Sequence, residues 1–259
     1  MTRHAVAADA GLSCFVTGTD TGVGKTLVAA ALVHALVGAL GPRGIRVAGM
    51  KPVAAGAAWH DGALRNDDVE ALAAAGNSGA PRDELCPYLL PDALAPHIAA
   101  ERAGVRLERA VILQAYARLR ARAGAVVVEG VGGFRVPLGA DFDTSDLARD
   151  LALPVVLVVG LRLGCLNHAA LTVEVIAARG LALAAWVGNG IDPQMAEADR
   201  NMAALGRIIP APCMGRVPWL ERPDARLAAG HLDLDLLAAR LAAPGTDPPP
   251  TAQGGRNGY

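Results

Sequence analysis

Short runs of consecutive apolar residues recur along this chain, separated by longer stretches in which apolar positions return with helical spacing. Cys14–Thr17, Val47–Met50, Val126–Glu129, Val155–Val159, Leu183–Val187 and Gly215–Val217 read as strands. Residues near Thr26–Leu40, Asp68–Ala75, Glu108–Arg122, Ser145–Leu151, Asn167–Arg179, Met195–Leu205 and Arg226–Leu241 read as helices. Strands such as Val126-Val127-Val128 and Val155-Val156-Leu157-Val158-Val159 are apolar at every position. That is the pattern of a parallel sheet covered on both faces, because neither face is left for water. Strands alternating with helices therefore predict a single α/β domain over 12–241, doubly wound, with a mostly parallel sheet and helices on both sides. No internal repeat is visible. Residues 1–11 and the Pro- and Gly-rich stretch 242–259, with Pro248-Pro249-Pro250 and Gly254-Gly255, are expected to be disordered.

Composition narrows the classes. The 259 residues are 53% hydrophobic but only 3% aromatic, so the core is built of Ala, Val and Leu rather than rings. Alanine inflates the apolar count, which makes the positive mean hydropathy a poor sign of a membrane. The longest apolar stretch near the N-terminus, Leu27–Leu40, is interrupted by His34 and falls short of the ~20 residues a bilayer requires. Met1–Ala10 has no apolar core of the kind a signal peptide needs. A net charge of −1 with mixed signs gives no electrostatic reason to expect nucleic acid or an anionic membrane. Cys14, Cys86, Cys165 and Cys213 lie far apart without a C-x-x-C pair, which speaks against zinc and against a disulfide framework and for reduced thiols in the cytosol.

The chemistry begins at Gly18-Thr19-Asp20-Thr21-Gly22-Val23-Gly24-Lys25-Thr26, which joins a strand to a helix. Glycines there let backbone N–H groups close around phosphate oxygens, and the helix turns its positive end toward them. Lys25 would reach the terminal phosphates and the Thr26 hydroxyl a magnesium ion. The spacing, G-x-x-x-x-x-G-K-T, is one residue longer than the common phosphate loop. The fold class is accordingly that of the phosphate-loop NTPases.

Functional groups in such folds gather beyond the carboxyl ends of the strands. Glu129 ends one strand and precedes Gly130-Val131-Gly132-Gly133; it is a candidate magnesium ligand, or else a carboxylate capping the next turn. Lys51 ends another and is followed by Pro52. Lys25 and Lys51 are the only lysines in a chain otherwise committed to arginine, which suggests that a compact point charge is needed. Asp67 or Asp68, by spacing alone, reads as the N-cap of a helix.

Phe15-Val16-Thr17-Gly18-Thr19-Asp20-Thr21 running into GKT, Met50-Lys51-Pro52-Val53-Ala54, Arg65-Asn66-Asp67-Asp68, Val128-Glu129-Gly130-Val131-Gly132-Gly133, Leu163-Gly164-Cys165-Leu166-Asn167-His168 and Val217-Pro218-Trp219-Leu220 together resemble the dethiobiotin synthetase family over roughly residues 12–225. The resemblance implies an ATP-dependent cyclo-ligase acting on 7,8-diaminononanoate and CO2. A carbamate forms on one amine, ATP phosphorylates it, and the second amine closes a ureido ring, releasing ADP and phosphate. By match, Thr26, Asp68 and Glu129 would hold Mg2+, which replaces the N-cap reading of Asp68. Lys25 and Lys51 would offset the charge of carbamate and phosphoryl group. ATP would be held by Gly22, Val23, Gly24, Lys25, Thr26 and Leu27, with Gly130, Val131 and Gly132 beside it. Asn189 and Gly190 with Pro218, Trp219 and Leu220 would take adenine, and Asp224 approximately matches a ribose contact. Thr21, Lys51, Ala55 and the Gly130-Val131-Gly132 backbone would meet diamine or carbamate. Cys165, Leu166 and Asn167 would bind the substrate carboxylate from the neighbouring subunit, implying a homodimer.

Gly22 stands where some members carry Glu, Ala55 where some carry Ser, and Asn201 near a position where an aromatic residue can help hold the carboxylate. His34 and His168 read as structural, and His97 matches a family segment without a chemical role. Two other readings share the fold. An amide-forming ligase such as a cobyrinate diamide synthase usually carries a glutamine-hydrolysing domain, for which this length leaves no room. A partitioning-type ATPase switch carries a signature lysine earlier in the loop, where Asp20 or Thr21 stands here.

Overall fold

The computed structural model describes residues 12–242. The expected disorder of 1–11 and of 242–259 lies outside the described residues except at Ala242, which instead ends a helix. A six-stranded sheet has the order β10-β9-β8-β1-β7-β2, formed by β1 (Cys14–Gly18), β2 (Val47–Met50), β7 (Ala125–Glu129), β8 (Val155–Leu161), β9 (Leu183–Gly190) and β10 (Cys213–Val217). All five neighbour pairs are parallel.

The apolar runs explain the layering. Cys14 and Val16 of β1, Val127 of β7 and Val156 and Val158 of β8 join one buried cluster with α1 (Lys25–Leu40). Alternate residues Phe15, Val126 and Val128 join a second cluster on the opposite face. There they meet α4 (Pro96–Arg102), α5 (Arg109–Arg122) and α6 (Thr144–Asp150). Leu157 and Val159 instead face α7 (Cys165–Ala178) and α8 (Ala198–Ile208). Side chains that alternate along a strand thus fill two separate cores, and a run apolar at every position satisfies both.

Several features depart from the sequence reading. A small parallel pair, β3 (Val53–Ala55) with β6 (Tyr88–Leu90), and a hairpin, β4 (Ala58–His60) with β5 (Ala63–Arg65), are each three residues per strand and too short to leave a periodic signal. The one-turn helix α3 (Arg82–Leu85) and α4 escaped for the same reason. Helix α2 (Asp67–Ala75) is capped by Asn66, whose side chain accepts the N–H groups of Asp68 and Val69, and not by Asp67 or Asp68. The last helical stretch is two helices, α9 (Ala225–Ala229) and α10 (Leu234–Ala242), because Leu232 breaks away to bridge Gly215 beside β10.

Helix α1 and the 3-10 turn after it form a 19-residue apolar segment, Lys25–Arg43, long and apolar enough to cross a membrane by length and composition. The apolar segment is thus longer than the Leu27–Leu40 read from the sequence, and half of its apolar window is buried inside the fold. Val28–Val33 of this helix is buried throughout, and α1 packs on β2, β7, α2 and α9.

Candidate nucleotide and metal site

The carboxyl ends of β1, β7 and β8 lie side by side, so the segments leaving them face one crevice. From β1 the chain turns through Gly18–Gly24 into α1. Gly24 has φ +86, and a Cβ there would come within 2.0 Å of Asn189 Nδ2. Only glycine serves at that position, on both conformation and space. The Asn189 amide, buried at the end of β9, donates to Val23 O at 2.9 Å and pins the loop from the far side. Its Oδ1 is buried and has no protein partner.

The charged centre is formed by residues from four elements. Lys51, just after β2, points its Nζ at Glu129 Oε1 on β7 (2.5 Å) and at Asp68 Oδ2 on α2 (2.7 Å). Thr26 Oγ1, in the first turn of α1, donates to the same Glu129 oxygen at 2.8 Å. Glu129 and Lys51 are buried, while the Asp68 side chain is 42% exposed. Burial opposes the charge of Lys51, yet the two carboxylates win and raise its pKa, so the ammonium stays charged. Two acids share that one cation. Burial pushes the enclosed Glu129 up, whereas for the open Asp68 the attraction of Lys51 outweighs burial and holds it below the usual carboxylate range. Lys25 is lowered to about 8, by burial first and then by the nearby charge of Lys51. Its Nζ rests on the carbonyl of Asp20 at 2.9 Å.

Do these residues suit a magnesium ion? The donors are a hydroxyl and two carboxylates, all hard oxygens, and Glu129 Oε2 is buried without any hydrogen-bond partner. Among the described residues there is no group of three or more His, Cys, Asp or Glu side chains placed to hold a metal. A sparse oxygen set is what Mg2+ takes, since it keeps waters and phosphate oxygens as its remaining ligands. The set fits.

The AAA domain family matches residues 13–226. Among curated relatives, the ATP-dependent dethiobiotin synthetase BioD of Ralstonia nicotianae is 59% identical over 227 residues, covering 88% of this chain and 97% of that protein. The BioD of Janthinobacterium sp. (strain Marseille) is 52% identical over 234 residues, covering 87% and 95%. This chain belongs to the dethiobiotin synthetase family. Among solved structures, the ParA family ATPase of Chlorobium tepidum aligns with a TM-score of 0.50 at 12% identity, covering 88% of this chain and 96% of that one. The MinC:MinD complex of Aquifex aeolicus aligns at 0.50 and 13%, covering 88% and 93%. Such distant likenesses show the phosphate-loop fold, as the strand and motif pattern led one to expect.

Beyond the charged centre, the residues singled out by resemblance to the dethiobiotin synthetase family fall at several places. Gly130, Val131 and Gly132 leave β7 beside the phosphate loop, and Thr21 Oγ1 lies 3.5 Å from where a Gly132 Cβ would stand. Gly190, Pro218 and Trp219 line one cavity of about 340 Å³ together with Leu161 and Asp192, and Trp219 is 48% exposed. Asp224 does not line it; its carboxylate caps α9 by accepting the N–H groups of Arg226 and Leu227. Ala55 ends β3, where its carbonyl accepts Asn66 Nδ2 at 3.3 Å. Cys165, Leu166 and Asn167 form the first turn of α7, and among the described residues no hydrogen bond or ion pair joins them to the charged centre. Next to that turn, Leu163 is 98% exposed.

One pair went unseen in the sequence. Arg162, directly after β8, donates through Nη2 to Asp20 Oδ2 at 2.5 Å across the phosphate loop. Its position just past a strand end was the available signal.

Proposed function

We propose that this chain closes the ureido ring of dethiobiotin: it takes 7,8-diaminononanoate, CO2 and MgATP and releases dethiobiotin, ADP and phosphate. Membership of the dethiobiotin synthetase family makes it an ATP-dependent ligase. The observation that carries the finer reading is the Lys51–Glu129–Asp68–Thr26 cluster at the mouth of the phosphate loop.

One amine adds to CO2 and loses a proton, giving a carbamate. An oxygen of that carbamate attacks the γ-phosphorus of ATP and ADP departs. The second amine then attacks the carbonyl carbon of the mixed carbamic-phosphoric anhydride, expelling phosphate as the ring closes. Carbamate formation creates an anion and its phosphorylation brings that anion against ATP, so the protein's task is to supply fixed positive charge in a site poor in water. Lys51 is the buried cation nearest the two acids, and Lys25 is the loop's own. Thr26, Asp68 and Glu129 would hold Mg2+, which supplies charge neutralisation at the phosphates when bound. Thr21 and the Gly130–Gly132 backbone would orient the carbamate.

Asn189 supports adenine as the base. Its orphaned Oδ1 is an acceptor in search of a donor, and the adenine amino group is one. A second subunit would offer Cys165–Asn167 to the substrate carboxylate, and the exposed Leu163 supports a contact there. A cytoplasmic location accompanies the reading and is supported by the free thiols Cys14, Cys86, Cys165 and Cys213.

Phosphate release from MgATP and bicarbonate, measured with and without 7,8-diaminononanoate, tests the function. Diamine-dependent release with a ring-closed product by mass spectrometry is expected. Release indifferent to the diamine would turn the reading toward the ATPase switch.

A further inference from the structure

The phosphate loop is one residue longer than the common pattern, and Asp20 lies in its first half. Three groups converge on that residue. Its Oδ1 accepts the Thr21 N–H at 2.7 Å, its Oδ2 accepts Arg162 Nη2 at 2.5 Å, and its carbonyl accepts Lys25 Nζ at 2.9 Å. Asp20 therefore joins the end of β8 to both the residue proposed to meet the carbamate and the lysine proposed to meet the phosphates. On the other side of the loop stands the Gly132 turn, with φ +63, where any Cβ would come 2.8 Å from Val136 and 3.5 Å from Thr21 Oγ1. The loop is held between two walls, one the turn after β7 and the other Arg162.

We propose that Arg162 is a positioning residue: through Asp20 it fixes the register of Thr21 and of the loop apex, so that the carbamate is presented to the γ-phosphate. The inference rests on the proposed function and deepens it. Arg162 touches neither nucleotide nor diamine in this role.

Magnitude decides what kind of role the pair can have. Both side chains are about 40% exposed, Arg162 at 40% and Asp20 at 42%. An ion pair that open contributes at most about 1 kcal/mol to folding. Geometry is another matter, since a guanidinium offers directed donors from a planar fork, whereas an ammonium is a point charge. Displacing a reacting group by an ångström costs rate even where it costs no stability.

The test is a double-mutant cycle on the full chain: Arg162→Gln, Asp20→Asn and the double variant, with Arg162→Lys as the conservative change. Steady-state kinetics with MgATP, bicarbonate and 7,8-diaminononanoate, together with thermal melting, are read for each. Each single variant is expected to lower kcat/KM for the diamine about tenfold, and the double variant no further, because both break one contact. Affinity for MgATP and the melting temperature should barely move, and Arg162→Lys should recover part of the loss. Losses that multiply in the double variant would overturn the proposal, as would an Arg162→Gln variant with unchanged diamine kinetics. A melting point lowered with kinetics intact would make the pair a stability bridge and equally sink it. Wild-type chain that forms no ring-closed product would overturn the proposed function itself, a result seen before any variant is compared.

Discussion

Lys51 Nζ donates to Glu129 Oε1 at 2.5 Å, and both side chains are almost wholly withdrawn from water. Asp68 shares the same ammonium from the solvent side at 2.7 Å. A single cation thus holds two carboxylates together at the strand ends where magnesium and phosphate are proposed to bind. The lysine is structural and electrostatic at once.

Removing Lys51 should therefore show in two separate measurements. Lys51→Ala leaves two acids facing each other, one of them buried, and breaking a buried pair costs about 3–5 kcal/mol. The protein without nucleotide should melt roughly 10 °C lower. MgATP should return much of that stability while turnover stays at least about a hundredfold down, the loss expected for a missing electrostatic partner in the transition state. Melting curves with and without MgATP, beside phosphate release, check both. Unchanged turnover would refute the role.

Glu129→Gln removes the charge but keeps the shape. Nucleotide binding in the presence of magnesium should weaken on the order of tenfold to a hundredfold, the size of one lost charged interaction. Without magnesium the variant and the wild type should bind ATP alike. Calorimetric titration at several magnesium concentrations separates the two cases, and an equal loss with and without the metal would argue against Glu129 as a ligand.

Gly24→Ala attacks the loop itself. The new methyl would stand 2.0 Å from Asn189 Nδ2 on a backbone with φ +86, so the loop and the strand-end amide cannot both stay in place. MgATP binding should be lost while the circular dichroism of the folded chain is kept. Wild-type affinity in this variant would mean that the loop closes differently from the structure.

How much of this was legible beforehand depended on what each residue needs. The inner strands were readable because runs such as Val126-Val127-Val128 and Val155-Val156-Leu157-Val158-Val159 are buried on both faces, whereas the edge strand β10 carries the exposed Cys213 and Arg216 and leaves a weaker signal. The GKT turn was readable because phosphate binding demands glycines and a lysine in a fixed order. Short elements such as β3 and α3 were not, since three or four residues carry no period. Asp68 looked like an N-cap because the sequence cannot say which of three adjacent polar residues turns its side chain onto the backbone; Asn66 does so, and Asp68 is left to face Lys51. The bond between Arg162 and Asp20 spans 142 positions, and the place of Arg162 just past a strand end marks the crevice but not the partner.

Acid should weaken the fold partly through Asp143. Burial raises its pKa, but hydrogen bonds from the Ser145 hydroxyl and the Asp146 N–H, with Arg135 beside it, bring it below the usual carboxylate range. A group held low in the folded chain stabilises it at pH above its unfolded value near ~3.9, and that contribution disappears as pH falls through the folded value. Asp143→Asn should flatten the acid limb of a stability-against-pH curve below about pH 4, leaving the curve near neutrality lower by about 1 kcal/mol or more for the lost charge on Arg135 and Arg179. Denaturant titrations from pH 3 to pH 7 would show it, and parallel curves for the two proteins would exclude the assignment.

The most direct measurement follows the carbamate oxygen. Carried out quickly with 18O-labelled bicarbonate, MgATP and 7,8-diaminononanoate, the reaction should place one labelled oxygen in the phosphate released with each ring closed, because the carbamate oxygen attacks phosphorus and leaves with it. Phosphate that gains its new oxygen only from water would mean simple ATP hydrolysis, and would contradict the ligase reading of the Lys51 site.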